Sequence, residues 1–126
     1  MATRLATATR NAKANAVGTL MSGGSVEIRT GSQPASANDT ATGTLLATVT
    51  LGTAPSASAG VVTMPDPASV NAVATGTAGW FRVKSSGAAT VWDGLIGAEG
   101  TLSSTSIVSG NPVDLSAVTY TQPSGE

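Results

Sequence analysis

Trp80-Phe81-Arg82-Val83-Lys84, Ser85-Ser86-Gly87-Ala88-Ala89 and Thr90-Val91-Trp92-Asp93 follow one another without a break. Two β-rich runs flank a loop of about five residues that contains Gly87, and this predicts a β-hairpin. The period of two in a strand sends Phe81 and Val83 to one side. Trp80, Arg82 and Lys84 go to the other.

The same alternation continues upstream. Ser25–Thr30 places Val26 and Ile28 on one face and Glu27 and Arg29 on the other. Leu45, Ala47, Val49 and Leu51 alternate in the next run. Between them, Gly31–Gly43 has no apolar periodicity and reads as a long loop, a feature often functional. Gly52–Gly60 is a second small-residue loop. Val61, Val62 and Met64 form a short strand stopped by Pro65 and Pro67, and Val70–Thr77 is another strand. Downstream, Leu95 and Ile96 extend the second arm of the hairpin. Leu102–Val108 and Val113–Thr121 are strands separated by a turn at Gly110-Asn111-Pro112, and Pro123–Glu126 is a tail.

About eight short strands with turn signals at near-regular spacing predict an antiparallel β-sandwich or jelly roll. One helix precedes them. Leu5, Ala8, Ala12, Ala16 and Leu20 recur at helical spacing from residue 3 to about residue 21, with Thr3 as a cap and Gly23-Gly24 as the stop. The division expected is a helical segment over 1–24 and a β-sandwich domain over 25–126.

The 126 residues suffice for one core. Only 10% are charged and the net charge is −1. Clustered Lys and Arg are therefore scarce, and neither nucleic acid nor a membrane is an expected partner. The basic residues are Arg4, Arg10, Lys13, Arg29, Arg82 and Lys84, of which the first three can form a patch. No apolar h-region follows the N-terminus and no run is long enough to span a bilayer, so a soluble, unprocessed chain is expected. Cysteine is absent. A small domain without disulfides gains stability from oligomerisation or from docking on a larger surface. The low charge and slightly positive mean hydropathy speak against disorder.

Histidine is absent too, which removes Ser–His and Cys–His nucleophile pairs. Asp93, before Gly94, is the most enzyme-like carboxylate, but Asp-Gly is also a common turn pair. The acids Glu27, Asp39, Asp66, Asp93, Glu99, Asp114 and Glu126 are scattered, with no spacing that marks a glycosidase pair. Asn38-Asp39 lacks the further oxygen ligands of a calcium loop, and no glycine-rich loop carries a phosphate-cradle pattern. The expectation is a non-enzyme without cofactor or metal. Trp80, alternating with Arg82, reads either as an exposed binding hot spot or as a cation–π pair that covers a sheet. With Trp92 it also raises a carbohydrate-binding sandwich.

Four segments, Arg29–Ala37, Thr42–Thr48, Ala74–Arg82 and Val91–Gly94, resemble a family of small tailed-phage proteins. The resemblance spans about residues 4 to 121. It implies a virion structural role. Proteins of this kind are similar to capsid cement (decoration) proteins, often trimers of jelly-roll-like subunits over three-fold positions, so the implied partners are the major capsid protein and further copies of the chain. The implied location is the capsid surface, and the host cytoplasm during assembly. A minor tail or neck protein is the alternative. The family's motifs carry no catalytic or ligand-binding residues. Candidate partner contacts are therefore read from this chain: Arg4, Leu5, Arg10 and Lys13 in the helical segment, Gln33 and Pro34 in the long loop, and Trp80 and Arg82 on the hairpin. The segment from Ala2 to about Met21 is expected to help hold the protein on its partner.

Overall fold

The computed structural model describes residues 4–122, the side chain of residue 117 excepted. One helix, α1 (Thr7–Met21), precedes ten strands. They are β1 (Ser25–Thr30), β2 (Leu45–Thr50), β3 (Val61–Thr63), β4 (Val70–Asn71), β5 (Gly76–Lys84), β6 (Thr90–Leu95), β7 (Gly100–Leu102), β8 (Ser106–Ile107), β9 (Pro112–Val113) and β10 (Leu115–Thr121). All strand pairs are antiparallel. The main sheet has the order β2-β1-β5-β6, with β8 paired to the start of β5. A second sheet has the order β3-β10-β7, and β4 pairs with β9. The fold is mainly β and sandwich-like, as the alternation predicts.

The hairpin lies at the centre of this arrangement. Phe81 faces Ile28 and Gly94 across the main sheet, and Val83 faces Val26 and Trp92. Their side chains share one core with Val62, Met64, Leu115 and Val118 of the second sheet and its flank. Phe81 meets Trp92 edge-on at 5.4 Å between ring centres, and Trp92 meets Tyr120 at 5.5 Å. Edge-on aromatic contacts of this kind add to the gain from burial alone, and here they tie β5 and β6 to β10. Gly94 is needed at its position because a Cβ there would run into the Phe81 ring. The five-residue loop closes with Ser85 N–H donating to the Ala89 carbonyl at 2.8 Å, and Ala88 takes a φ of 67°.

Several boundaries differ from the pattern reading. The run Val70–Thr77 is not one strand: it breaks after Asn71, where the chain turns to let Val73 N–H reach the Leu46 carbonyl at 2.8 Å. Leu102–Val108 likewise divides into β7 and β8, which pair with different neighbours, and the last run divides at Asp114 into β9 and β10. Short runs that serve two sheets must bend between them, and periodicity alone does not mark the bend. In β2, Leu46 is buried and Leu45 only half-buried, because a register shift between Ile28 and Arg29 turns the strand end. The expected tail, Pro123–Glu126, lies outside the described residues.

The helix departs further. Thr3 lies outside the described residues. α1 starts at Thr7 behind extended Ala6, without a side-chain cap. Its buried residues are Ala14, Gly18 and Met21, whereas Ala8, Ala12, Ala16 and Leu20 of the expected stripe are exposed. Alanine occurs all round this helix, so spacing does not distinguish its faces, and close packing decides instead. At Gly18 a Cβ would stand 3.1 Å from the Ala54 Cβ and 3.5 Å from Val62. The helix ends as expected at Gly23, whose φ of 72° is a left-handed conformation suited to glycine.

Candidate functional site

The outer face of the main sheet carries a cluster of charged residues: Glu27, Arg29, Arg82, Lys84 and Asp93. Register places Glu27 opposite Arg82, Arg29 opposite Trp80, and Arg82 opposite Asp93. Arg82 Nε donates to Asp93 Oδ1 at 2.8 Å and Nη2 donates to Oδ2 at 3.0 Å. The Arg82 guanidinium lies 5.5 Å from the centre of the Trp80 ring. Glu27 accepts from Arg29 at 3.3 Å and faces Lys84 at 3.5 Å. The Arg82 pKa is raised, chiefly by the hydrogen bond to Asp93, against the opposing effect of burial and with further help from the charges of Asp93, Glu27 and Asp39.

The centre of this face is covered. Trp80 is 0% exposed and Arg82 4%, so the exposed hot-spot reading of Trp80 is corrected: no face of its ring is open to a sugar or a partner. Trp92, held between Phe81 and Tyr120, is half-buried on the core side. The Gly31–Gly43 loop contributes to the cover. Its Asp39 lies near enough to act on the Arg82 charge, and the Gly31 carbonyl abuts Gly79. Trp80 Nε1 and Arg29 Nε are buried without a hydrogen-bond partner.

The loop is tied to its own chain by several hydrogen bonds. Thr30 N–H donates to the Thr44 carbonyl and Thr44 N–H to Thr30 Oγ1, which staples its base. Thr42 Oγ1 donates to the Ser32 carbonyl, and Asp39 N–H donates to the Ser36 carbonyl in a turn that the Asp39 carboxylate closes back on Ser36 N–H. Gln33 is exposed and Pro34 half-buried on this loop.

Polar side chains of α1, and Ser22 just past it, grip the chain's own 54–60 segment and Gln122. Arg10 Nε and Nη2 both donate to the Gln122 carbonyl at 3.1 Å. Asn11 Oδ1 accepts from Gly60 N–H and Asn15 Oδ1 from Ala57 N–H, each at 2.7 Å. Ser22 Oγ accepts from Ala54 N–H at 2.9 Å. Arg10 is thus engaged within the chain, while Arg4 and Lys13 are exposed and Leu5 is half-buried.

The eight sequence-read contact residues therefore fall into three places. Arg4, Leu5, Arg10 and Lys13 lie on or just before α1, Gln33 and Pro34 on the loop, and Trp80 and Arg82 under cover on the sheet. Sequence reasoning missed the role of Asp93. It is not in a turn but inside β6, where it neutralises Arg82. Loop length alone would set Arg82 opposite Trp92; a register shift between Val83 and Lys84 moves the pairing by one residue and brings Arg82 opposite Asp93.

Among the described residues no group of three potential metal-ligating side chains comes together. Two open grooves indent the surface. One, about 380 Å³, is lined by Asn15, Thr19 and Ser22 of the helix end and by residues 53–56. The other, about 320 Å³, lies between the 103–108 and 111–114 segments. Comparison with protein-family models, with curated proteins and with solved structures returns no match.

Proposed function

We propose that this chain is a structural protein of a tailed-phage particle, and specifically a capsid decoration protein. It binds the assembled head from outside as a homotrimer and bridges major capsid subunits, with no catalytic step. The observation that carries this reading is where the polar groups are used. Arg82 is engaged by Asp93, and Arg10, Asn11, Asn15 and Ser22 hold the chain's own backbone. What faces outward is mostly small side chains, stapled loop and a few lone charges, a surface suited to contact rather than to chemistry.

The resemblance supports the same reading. The segments that carry it meet in space: Arg29 pairs with Leu45 and Trp80, and Arg82 with Asp93. A protein that binds only the assembled shell stabilises that shell by mass action. In this role the Gly31–Gly43 loop, with Gln33 and Pro34, touches the shell, and Arg4 steers the molecule towards an acidic capsid exterior.

Purified protein added to heads that lack it tests the proposal by co-sedimentation and copy counting. Saturable binding at hundreds of copies per head, with a raised shell melting temperature, is expected. Binding at a few copies to tails or necks would transfer the role to a minor tail or neck protein. No binding to any particle would overturn the virion reading.

A further inference from the structure

We propose that the 320 Å³ groove beside β8 and β9 is the docking site for α1 of a second copy of this chain. The inference deepens the oligomeric part of the reading above and rests on it. Ile107 and Val113 form part of the groove and are nearly fully buried, while Val108 on its wall is 48% exposed. Val73, 66% exposed, stands on the neighbouring segment. Gly110 N–H donates to the Ala72 carbonyl at 2.8 Å, and Ser109 N–H donates to Thr75 Oγ1 at 3.0 Å, so the two segments are fixed side by side. Val108 and Val73 thus stand as two exposed apolar side chains on adjoining segments beside a polar rim. Asp114 supplies the charge on that rim; it is exposed and forms no ion pair among the described residues.

The occupant follows from charge. The cations without an ion pair among the described residues, Arg4, Arg10 and Lys13, all belong to the N-terminal segment. Arg10 grips Gln122, just past the last residue of β10, whereas Asp114 stands just before its first. A strand of that length spans roughly 20 Å, so the cationic and acidic ends do not meet within one chain. Between copies they meet head to tail. Such a heterologous contact closes into a ring when its rotation permits.

The helix presents a matching face. Lys13, Ala16 and Leu20 follow at spacings of three and four, so they share one side. All three are exposed, Leu20 by 56%. Leu20 lies about two turns, or roughly 10 Å, beyond Lys13. In the docked pair Leu20 covers Val108, Ala16 lets the helix approach, and Lys13 faces Asp114.

Sedimentation velocity of the full chain over a range of concentrations tests this. The wild type should associate. Leu20→Asp and Val108→Asp should each raise the association midpoint at least about tenfold, as loss of an interface anchor does. Both positions are exposed, so an unchanged circular dichroism spectrum and melting temperature will show that the fold is kept. Lys13→Glu and Asp114→Lys should each weaken association, and the double exchange should bring it back to within about threefold of wild type, since the pair is restored with its sign reversed. A monomeric wild type, an oligomer indifferent to Leu20→Asp and Val108→Asp, or a double exchange no better than the single changes would overturn the proposal. Particle binding is scored separately. An oligomer that assembles as described but binds no particle leaves this contact standing and removes the virion reading.

Discussion

Replacing Asp93 by Asn would leave the shape of the covered sheet face nearly intact and remove one charge. The side chains of Arg82 and Asp93 are 5% and 2% exposed, so water cannot take over the lost partner without opening the face. Breaking a buried pair by neutralising one member costs about 3–5 kcal/mol. Two features lower the figure here. Trp80 still lies 5.5 Å from the guanidinium, worth about 1–2 kcal/mol when desolvated, and the Asn oxygen still accepts one hydrogen bond. A loss of about 3 kcal/mol is therefore expected, and for a chain of this size that is a fall in Tm of roughly 10–12 °C. Urea unfolding at pH 7, followed by tryptophan fluorescence and by circular dichroism, measures it. The double variant Arg82→Met with Asp93→Leu removes both charges and should lie within about 1–2 kcal/mol of wild type, on either side. If Asp93→Asn costs less than about 1 kcal/mol, the behaviour of a solvent-exposed pair, the pair is hydrated and the argument for a covered outer face fails. If the double variant is as unstable as the single, side-chain shape rather than charge is the determinant.

Tyr120 is the only tyrosine, so absorbance near 295 nm reports it alone. Burial pushes its phenol pKa up. The folded chain should thus keep its proton above the ordinary value of about 10, at which the unfolded chain loses it. The unfolded state then binds fewer protons, and stability should fall as pH rises from about 10 through the folded pKa, less steeply in Tyr120→Phe; a folded-state midpoint at or below 10 would contradict this. Gly94→Ala, which drives a Cβ into the Phe81 ring, should cost about 1–3 kcal/mol by overpacking, although alanine in a strand is ordinarily the better residue; an unchanged urea midpoint would show that the ring has room to move. Arg10→Ala, which removes two hydrogen bonds to the Gln122 carbonyl and uncovers Gly60, should cost about 1–2 kcal/mol and speed amide exchange at Gly60 and Gln122; equal exchange would place the helix clamp elsewhere.

The hairpin was legible because it states its structure twice. Phe81 and Val83 alternate with polar residues, and Ser85–Ala89 marks the loop, whereas the register shift between Val83 and Lys84 was not legible. The outer face was legible only in part. Alternation marked Trp80, Arg82 and Lys84 as sharing a side, but a strand pattern does not say whether that side meets water. Here Asp93 neutralises Arg82 and Gly31–Gly43 folds nearby, so a polar face became a second buried layer. The segmentation of Val70–Thr77 and Leu102–Val108 was not legible, since the bends are fixed by bonds to distant residues such as Leu46 and Thr75.

The helix shows how regular spacing can locate a helical segment and still misjudge its buried face. Alanines at regular spacing point to a stripe, yet burial falls on Ala14, Gly18 and Met21 because Gly18 alone allows the approach to Ala54 and Val62. α1 has no side-chain cap, no acid in its first turn and no base in its last, so little within the helix itself favours it and its stability comes from the layer beneath. That dependence runs both ways. Met21 is fully buried in the shared core, and Asn11 and Asn15 satisfy backbone N–H groups of the 57–60 segment. Removing residues 2–21 would therefore open the core and free those donors, and any loss of attachment would report misfolding as readily as lost contact. The outward residues separate the two roles. Lys13, Ala16 and Leu20 can be changed without touching the buried face, so a defect in association or attachment caused by them, with Tm unchanged, belongs to the surface and not to the scaffold.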